Sequence, residues 1–224
     1  MSTQYTSSQV NTPGTLLEKG FLHSSNGTII LPINMNLVQC NLDKRATSDQ
    51  NPYKVINIAN IVGYSDTISK LALSIAPGKK DQRWNRDMET DLEVIKSNDI
   101  HVIVCLLEWS EMRMLGMIDY PRQAQEKGFL FYHLPIKDRG VPNPKDLNVL
   151  IPLLVQHLSM GKNILVHCRG GLGRAGTICG CCLGHFRYDG VTAIEAVRMQ
   201  RPGAIQTNKQ EACVIQYCRE LLIT

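Results

Sequence analysis

One short segment of the sequence carries residues that could perform phosphoryl transfer. It reads Cys168-Arg169-Gly170-Gly171-Leu172-Gly173-Arg174. Glycine lets the backbone turn so that successive amide N–H groups face a common centre, where they can bind an anion. A helix predicted to begin near Arg174 adds the positive end of its dipole. We therefore expect this segment, the catalytic loop, to bind one tetrahedral oxyanion.

The two ends of the catalytic loop suit different parts of the reaction. The amide groups and the positive charge favour the thiolate form of Cys168, which is the nucleophilic form of cysteine. Arg174 can bind two phosphate oxygens through its planar guanidinium. The alternative is a glycine turn with a buried structural cysteine. A dinucleotide-binding loop is rejected because the glycines stand in the wrong order and no acidic partner follows.

A proton donor for the leaving group is predicted upstream of the nucleophile. Asp138 lies in a segment bracketed by Pro135 and Pro142, with Gly140 between them. Such a segment is a candidate mobile loop that closes on substrate, and Asp138 is its candidate general acid. The alternative is an aspartate in a surface turn.

Strands and helices alternate along most of the chain, which predicts an α/β domain with a central, mostly parallel sheet flanked by helices. Predicted strands cover Thr28–Ile33, Tyr53–Ile58, Ile68–Ile75, Ile100–Leu107, Phe129–His133 and Asn163–His167. Predicted helices cover Arg83–Lys96, Glu108–Leu115, Lys145–Leu158, a stretch from about Arg174, Val191–Gln200 and Thr207–Leu222. We expect the first three of these strands to lie at one edge of the sheet.

The carboxyl ends of parallel strands meet at one edge of a sheet, which brings further candidates near the nucleophile. Either Glu108 or Glu111 could brace Arg174, or both could lie on a helix surface. Cys105 could form a reversible disulfide with an oxidised Cys168, or be a buried core cysteine. His167 is expected to anchor the loop by hydrogen bonding, since a preformed thiolate needs no base.

Extra positive charge surrounds the predicted site. Arg169 could select a highly charged substrate such as a phosphoinositide, or form a surface ion pair. Lys79, Lys80, Arg83 and Arg86 form a basic stretch, expected to be a solvated helix face or a rim that attracts phosphoprotein.

Composition sets the class of protein and its expected compartment. With 224 residues, 43% apolar and 20% charged, the chain fits one soluble globular domain. The net charge of +4 is too small for a typical nucleic-acid-binding protein. No signal-peptide-like run or membrane-length apolar stretch is visible, so the eight cysteines are expected to be reduced thiols in the cytoplasm. We predict a flexible arm over 1–27 and one catalytic domain over 28–224.

Taken together, the motifs resemble the dual-specificity branch of the protein tyrosine phosphatase superfamily over about 71–222. The motifs that carry the resemblance are Ala76-Pro77-Gly78, Asp91-Leu92-Glu93-Val94-Ile95, Tyr132-His133-Leu134-Pro135-Ile136-Lys137-Asp138, His167 to Arg174, and Gly203-Ala204-Ile205-Gln206-Thr207. The resemblance implies that Gln206 orients the water that attacks the phosphocysteine, with Gln210 assisting. The alternative for Gln210 is a solvated helix position.

The resemblance also implies an activity and its partners. It predicts a phosphatase for phosphotyrosine and phosphoserine or phosphothreonine, acting on a phosphorylated protein such as a kinase, as a monomer, without metal or cofactor. A phosphatase for phosphoinositides or other non-protein substrates, and a phosphate-binding scaffold without turnover, are the alternatives. One position departs from the pattern: many relatives have Ser or Thr after the loop arginine, where this chain has Ala175. We expect slow phosphocysteine hydrolysis as a result.

Overall fold

The structure is a computed structural model that describes residues 45–63 and 67–222, together with the backbone of Leu22–His23 and Ile29–Ile30. The chain divides into two compact units, 1–45 and 46–224. In the first unit, β1 (Leu22–His23) and β2 (Ile29–Ile30) pair antiparallel. The predicted flexible arm lies otherwise outside the described residues, as does most of the predicted strand Thr28–Ile33.

The second unit is built on a five-stranded sheet. Its strands in chain order are β4 (Ile56–Val62), β5 (Ile68–Ser74), β7 (Val102–Cys105), β8 (Leu130–His133) and β9 (Ile164–His167), and its spatial order is β4-β5-β9-β7-β8. Only the edge pair β4 and β5 is antiparallel. The prediction of a mostly parallel central sheet is confirmed. Of the strands predicted at one edge, β4 and β5 lie there, whereas Ile29–Ile30 of the predicted strand Thr28–Ile33 belongs to a separate two-stranded sheet.

Seven helices surround this sheet in the described ranges: α1 (Met88–Ser97), α2 (Trp109–Met114), α3 (Tyr120–Glu126), α4 (Pro144–Ser159), α5 (Gly173–Gly184), α6 (Gly190–Gln200) and α7 (Asn208–Leu221). Side chains cap several of them. Asp87, Asn143, Asp189 and Thr207 each accept a hydrogen bond from a backbone N–H of the first turn. No helix in this described portion is both long enough and apolar enough to cross a membrane.

Both faces of the sheet are buried, because apolar residues on each central strand alternate between two clusters. In β7, Val102 and Val104 pack on one side, whereas Ile103 and Cys105 pack on the other. Helices α4 to α7 supply the first cluster, and α1 to α3 supply the second. This two-sided burial fixes the heights of the strands and therefore the positions of the loops that follow them.

Several elements differ from the sequence prediction; the strand predicted over Tyr53–Ile58, for example, lies at Ile56–Val62. The helix predicted to begin at Arg83 begins at Met88, because Trp84–Asn85 forms a short strand, β6, parallel to β3 (Ala46–Thr47). The helix α3 was not predicted, since a seven-residue element with a proline near its start has little helical periodicity.

A buried ion pair fixes the chain between β5 and α1. The Arg86 guanidinium donates two hydrogen bonds of 2.7 Å to the Asp91 carboxylate. Asp91 also accepts from the Gly78 N–H and the Ser48 hydroxyl, both at 2.8 Å. Each charge is thus paired and hydrogen-bonded, as a buried charge requires. The ion pair thus fixes the segment between β5 and α1, which lies beside the catalytic loop.

Strand register brings the candidate site residues together. Ser74 of β5 and Cys105 of β7 are both paired with His167, and Cys105 is also paired with His133 of β8. These residues end four parallel strands at one edge of the sheet. The segments that follow them must therefore meet at this carboxyl edge.

Candidate active site

The catalytic loop follows β9 directly and leads into α5. Cys168 is only 3% exposed, and it comes immediately after His167 at the carboxyl edge of the sheet. Ala76 N–H and the Lys79 ammonium both donate to the Arg169 carbonyl, at 3.4 Å and 3.2 Å. The loop is therefore attached from its first turn to the segment after β5.

Three more loop carbonyls also have partners outside the loop or in the helix beyond it. Arg201 donates to the Gly170 carbonyl at 3.2 Å and to the Gly171 carbonyl at 3.1 Å. The Leu172 carbonyl accepts from the backbone N–H of Gly176 at 2.9 Å and of Ile205 at 3.4 Å. In a trans peptide the C=O and the following N–H point in opposite directions. Since the carbonyls of 169–172 are turned to these donors, the amides of 170–173 are turned away from them.

Gly171 has a conformation and a neighbour that other residues would not tolerate. Its φ is +60°, and a Cβ atom at this position would lie 2.3 Å from the Ser74 carbonyl oxygen. The end of β5 thus touches the backbone of the loop. This close approach requires glycine.

Arg174 is fixed from two sides although it is a buried cation. Its side chain is 2% exposed, and it donates to both carboxylate oxygens of Glu111, at 2.6 Å and 3.0 Å. It also donates to the Ile136 carbonyl at 2.9 Å. Burial raises the pKa of Glu111, but the hydrogen bonds and charge of Arg174 outweigh this effect, so the pKa is lowered overall. Of the two glutamates considered, it is Glu111 that contacts Arg174.

Glu108 has a different position. It is the N-cap of α2 and forms a capping box with Glu111: its side chain accepts from the N3 backbone, and its own N–H donates to Glu111 at 3.0 Å. Glu108 therefore holds the carboxylate that holds Arg174.

Asp138 lies next to Arg174 while remaining exposed. Its carboxylate is 3.1 Å from the Arg174 Nη2 atom, although the side chain is 65% exposed. The segment around it, 137–142, turns tightly, with the Gly140 N–H donating to the Lys137 carbonyl at 2.8 Å and a positive φ of 59° at Arg139. An acidic side chain thus reaches the loop arginine from the solvent side.

Two glutamines lie over the start of α5. A Cβ atom on Gly173 would lie 2.9 Å from the side chains of both Gln206 and Gln210. The Gln210 amide donates to the Gly140 carbonyl at 3.0 Å and accepts from the Gln206 N–H at 2.9 Å. Gln210 is fully buried. The reading of Gln210 as a solvated helix residue is therefore wrong: it ties the Asp138 segment to the Gln206 segment, while Gln206 stays exposed.

His167 is part of the buried support of the loop. Its Nε2 atom is 3.0 Å from the Tyr120 hydroxyl. Burial lowers the pKa of His167 to about 3, so the imidazole is neutral at physiological pH. A neutral ring packed against Tyr120 fits an anchoring residue better than a base.

The basic stretch is not a solvated helix face, because the helix begins only at Met88 and two of the four residues of the stretch are buried. Lys79 and Arg86 lie on the ring of Trp84, with the Lys79 ammonium 5.2 Å and the Arg86 guanidinium 5.3 Å from its centroid. Sequence reasoning missed Arg201, and it considered Lys79 only as part of the basic stretch, not as a donor to the catalytic loop. No spacing pattern identifies a cation that hydrogen-bonds to a backbone carbonyl far away in the chain.

Arg169 forms the ion pair that was one of its two predicted roles. Its Nη2 atom is 3.6 Å from the Asp81 carboxylate, which also lies 4.0 Å from the Lys79 ammonium. The Arg169 side chain remains 48% exposed. Such an exposed pair leaves the guanidinium available to a second anion.

Among the other cysteines that the structure describes, all but the partly buried Cys213 pack in the core. Cys105 is fully buried, and this burial raises its pKa to about 12, which opposes the reactive thiolate form. Cys179, Cys181 and Cys182 of α5 are buried as well. Next to the loop, Ala175 is buried, while the Thr177 hydroxyl donates to the Gly173 carbonyl at 2.9 Å.

The geometry and the sequence motifs agree with one family. The family model that matches, PTP-SAK, is described as a Swiss Army Knife protein, DSP-PTPase phosphatase domain, and it covers residues 75–214. This range contains the catalytic loop, Asp138, Glu111 and both glutamines. The chain belongs to this family of dual-specificity phosphatases.

Individual relatives narrow the likeness further. Human cyclin-dependent kinase inhibitor 3 is 33% identical to this chain over 147 residues, which cover 62% of this chain and 68% of the relative. A crystal structure of kinase associated phosphatase, with its catalytic-site cysteine replaced by serine, has a TM-score of 0.69 and 26% identity. That match covers 78% of this chain and 99% of the phosphatase. PTPMT1 in complex with PI(5)P shares the fold, with a TM-score of 0.58 at 17% identity, over 68% of this chain and 92% of PTPMT1.

Proposed function

We propose that this phosphatase hydrolyses phosphate monoesters on proteins through a phosphocysteine formed on Cys168. The observation that carries the proposal is the position of Arg174. It is a buried guanidinium fixed by Glu111 at the end of a loop whose amides are turned away from the donors that hold its carbonyls. A phosphoryl dianion bound there would meet a cation, several N–H donors and the thiolate together.

The first step transfers the phosphoryl group to sulfur. The Cys168 thiolate attacks phosphorus as the bond from phosphorus to the leaving oxygen breaks, and Asp138 gives its proton to that oxygen. Asp138 can reach this position because it already lies 3.1 Å from Arg174. Substrate binding precedes this transfer: the phosphate takes the place of the Asp138 carboxylate on Arg174, which frees Asp138 to take up a proton and to face the leaving group.

The second step returns the enzyme to its starting state. Gln206 orients a water molecule toward the phosphocysteine, and the Asp138 carboxylate accepts the proton from this water as the sulfur–phosphorus bond breaks. Gln210 supports the step by joining the two segments through its bonds to Gly140 and Gln206. Inorganic phosphate leaves, and the thiolate is restored.

A simple aryl phosphate assay tests the assignment of the nucleophile. Replacing Cys168 with Ser should lower kcat by about 10⁴-fold or more, since the nucleophile acts as a unit with its loop. Cys213→Ser on α7 serves as the matched control and should retain full activity. Residual activity of Cys168→Ser near the parental level would defeat the proposal.

The proposed substrate is a phosphorylated protein, and a kinase is the candidate partner, because the structural relative is kinase associated. Immobilised Asp138→Ala should retain phosphoprotein without releasing the leaving group. Bound protein should be eluted by vanadate, and phosphoproteomic analysis should find enriched phosphorylated kinases. If retention is the same on an Asp138→Ala, Arg174→Met double variant, the capture does not involve the site, and the kinase assignment is wrong.

A phosphoinositide is the second candidate substrate, favoured by the exposed guanidinium of Arg169 beside the nucleophile. Turnover of phosphotyrosine and phosphothreonine peptides should be measured beside that of short-chain inositol lipids. The proposed function requires higher kcat/KM on the peptides. Higher kcat/KM on the lipids would replace protein with lipid as the substrate, and binding without any turnover would favour a scaffold.

A further inference from the structure

A cleft of about 350 Å³ opens beside the catalytic loop and has no role in the two steps above. We call it the basic cleft; its lining consists of Lys80, Asp81, Gln82, Arg83, Glu111, Met114, Leu115 and Arg169. Two of these residues belong to the site itself. Arg169 follows the nucleophile, and Glu111 holds Arg174, so the basic cleft adjoins the catalytic loop.

The acidic residues in the basic cleft are already engaged. Glu111 gives both carboxylate oxygens to Arg174. The Asp81 Oδ1 atom accepts from the N–H groups of Arg83 and Trp84 at 2.9 Å and 3.0 Å, and its Oδ2 atom faces Arg169 at 3.6 Å. Neither carboxylate therefore has to be neutralised by a ligand.

The cations of the basic cleft have fewer charge partners than its carboxylates have. Within the ranges that the structure describes, no carboxylate oxygen lies within 4.0 Å of the Lys80 ammonium or the Arg83 guanidinium. Both side chains are exposed. With Arg169, the basic cleft thus presents three cations against Asp81, since the charge of Glu111 is balanced by Arg174. A net positive, concave surface attracts an anion.

The walls of the basic cleft are held in place by contacts that do not depend on a ligand. The Lys80 N–H donates to the Leu115 carbonyl at 2.9 Å, and this hydrogen bond joins the basic stretch to the end of α2. The Arg86–Asp91 ion pair holds the same stretch of chain in place. A preformed site loses less free energy on ordering when it binds.

We propose that the basic cleft binds a second phosphate group on the same protein substrate, close in sequence to the phosphoresidue that is hydrolysed. This inference rests on the proposed function and specifies its substrate as a multiply phosphorylated segment. Arg169 and Arg83 can each form bidentate hydrogen bonds to phosphate oxygens. Met114, which is 69% exposed on the wall of the cleft, offers apolar surface to the side chains of a peptide rather than to a soluble inositol headgroup.

Binding to the Cys168→Ser variant tests this inference independently of turnover. Fluorescence anisotropy should compare a monophosphorylated peptide with peptides that carry a second phosphoresidue one to four positions away on either side. We expect the best bis-phosphorylated peptide to bind about tenfold more tightly, as two or more charge-assisted hydrogen bonds would provide. This ratio should fall as salt is raised.

The ratio must also depend on the cations of the basic cleft. In a Lys80→Gln, Arg83→Gln background it should fall to about two or less, whereas Lys70→Gln, Arg219→Gln removes two charges elsewhere and should preserve it. A parental ratio near one would overturn the second-phosphate site, while turnover of the monophosphorylated peptide would still support the proposed function. A tenfold gain for an inositol bisphosphate over the monophosphate, with none for the peptides, would overturn the assignment to a protein substrate.

Discussion

The catalytic loop and the segment that carries Asp138 meet at Arg174, but they are held by different kinds of contact. Four consecutive carbonyls of the catalytic loop accept hydrogen bonds, and Gly171 packs against the backbone of β5. The Asp138 segment has an exposed acid, a local turn at Gly140 and one side-chain bond from Gln210. The catalytic loop is held by distant parts of the fold, whereas the Asp138 segment is held mainly by contacts within its own turn.

This difference fits the two proposed tasks. Charge stabilisation works best when donors are fixed before the reaction, because no free energy is then spent on reorienting them. A general acid must instead leave Arg174 when phosphate arrives and approach the leaving oxygen. Changes in the catalytic loop and its supports should therefore affect both folding and activity, whereas changes in the acid segment should affect mainly activity.

The largest effect is expected when the support of Arg174 is removed. Glu111→Gln leaves a buried cation without its charge partner, which typically costs about 3–5 kcal/mol. We expect kcat/KM to fall by about 10³-fold and the free energy of unfolding to decrease, as measured by urea denaturation. Glu126→Gln, which breaks an exposed pair with Arg122, is the control and should change neither.

The stability lost in Glu111→Gln should depend on pH. Because the folded-state pKa of Glu111 is lowered from its usual 4.5, the ionised carboxylate contributes stability above that pH and loses it as the pH falls through the lowered value. The difference in free energy of unfolding between the parent and Glu111→Gln should therefore shrink below pH 4.5. A constant difference from pH 7 to pH 3 would show that the pair does not form.

A pair of glycines, one in each segment, tests the comparison itself. Gly171→Ala places a methyl group against the Ser74 carbonyl at a positive φ and should cost about 3 kcal/mol, or a fall in Tm of about 6–12 °C. Gly140→Ala would place its methyl group 2.8 Å from the Lys137 carbonyl oxygen, but this contact lies within its own short turn and Gly140 has no positive φ, so Tm should fall by less. Equal losses would mean that the two segments are equally constrained.

Loss of the acid should slow chemistry without unfolding the protein. We expect Asp138→Asn to lower kcat by about 10²-fold on an alkyl phosphate, because that leaving group needs a proton, and by less on a nitrophenyl phosphate. Tm should remain unchanged. Asp146→Asn at the start of α4 is the control. An equal loss on both substrates would remove Asp138 from the role of acid.

The smallest effect concerns the breakdown of the intermediate. Ala175→Ser adds a hydroxyl beside the loop, and one neutral hydrogen bond to the departing sulfur should raise steady-state turnover by about fivefold. Ala193→Ser, a buried alanine on α6, controls for the cost of burying serine. Rapid-mixing kinetics without a burst in the parent would show that breakdown is not rate-limiting and would refute this expectation.

Sequence reasoning predicts the parts of this molecule that follow local rules. Apolar strand runs and glycine spacing identify the sheet and the catalytic loop, because each is encoded within a few residues. The comparison with known proteins agrees with the fold and the family. The roles of Cys168, Arg174 and Asp138 stay predictions that the experiments above test.

What local patterns miss is the long-range support. Asp91 looks like a surface residue of a helix, yet it is buried by Arg86, Ser48 and Gly78. Arg201 holds a loop that lies some thirty residues earlier in the chain. Such contacts depend on the folded positions of distant segments, so no residue spacing in the sequence predicts them.

The central claim is that Cys168 becomes covalently phosphorylated in a loop built to hold one phosphoryl group. Rapid denaturation of the enzyme during turnover of an aryl phosphate, followed by mass spectrometry of its peptides, tests this claim directly. We predict one added phosphoryl group on the peptide that contains Cys168, and none on the corresponding peptide of Cys168→Ser. A phosphoryl group on another residue, or turnover with Cys168 never modified, would contradict it.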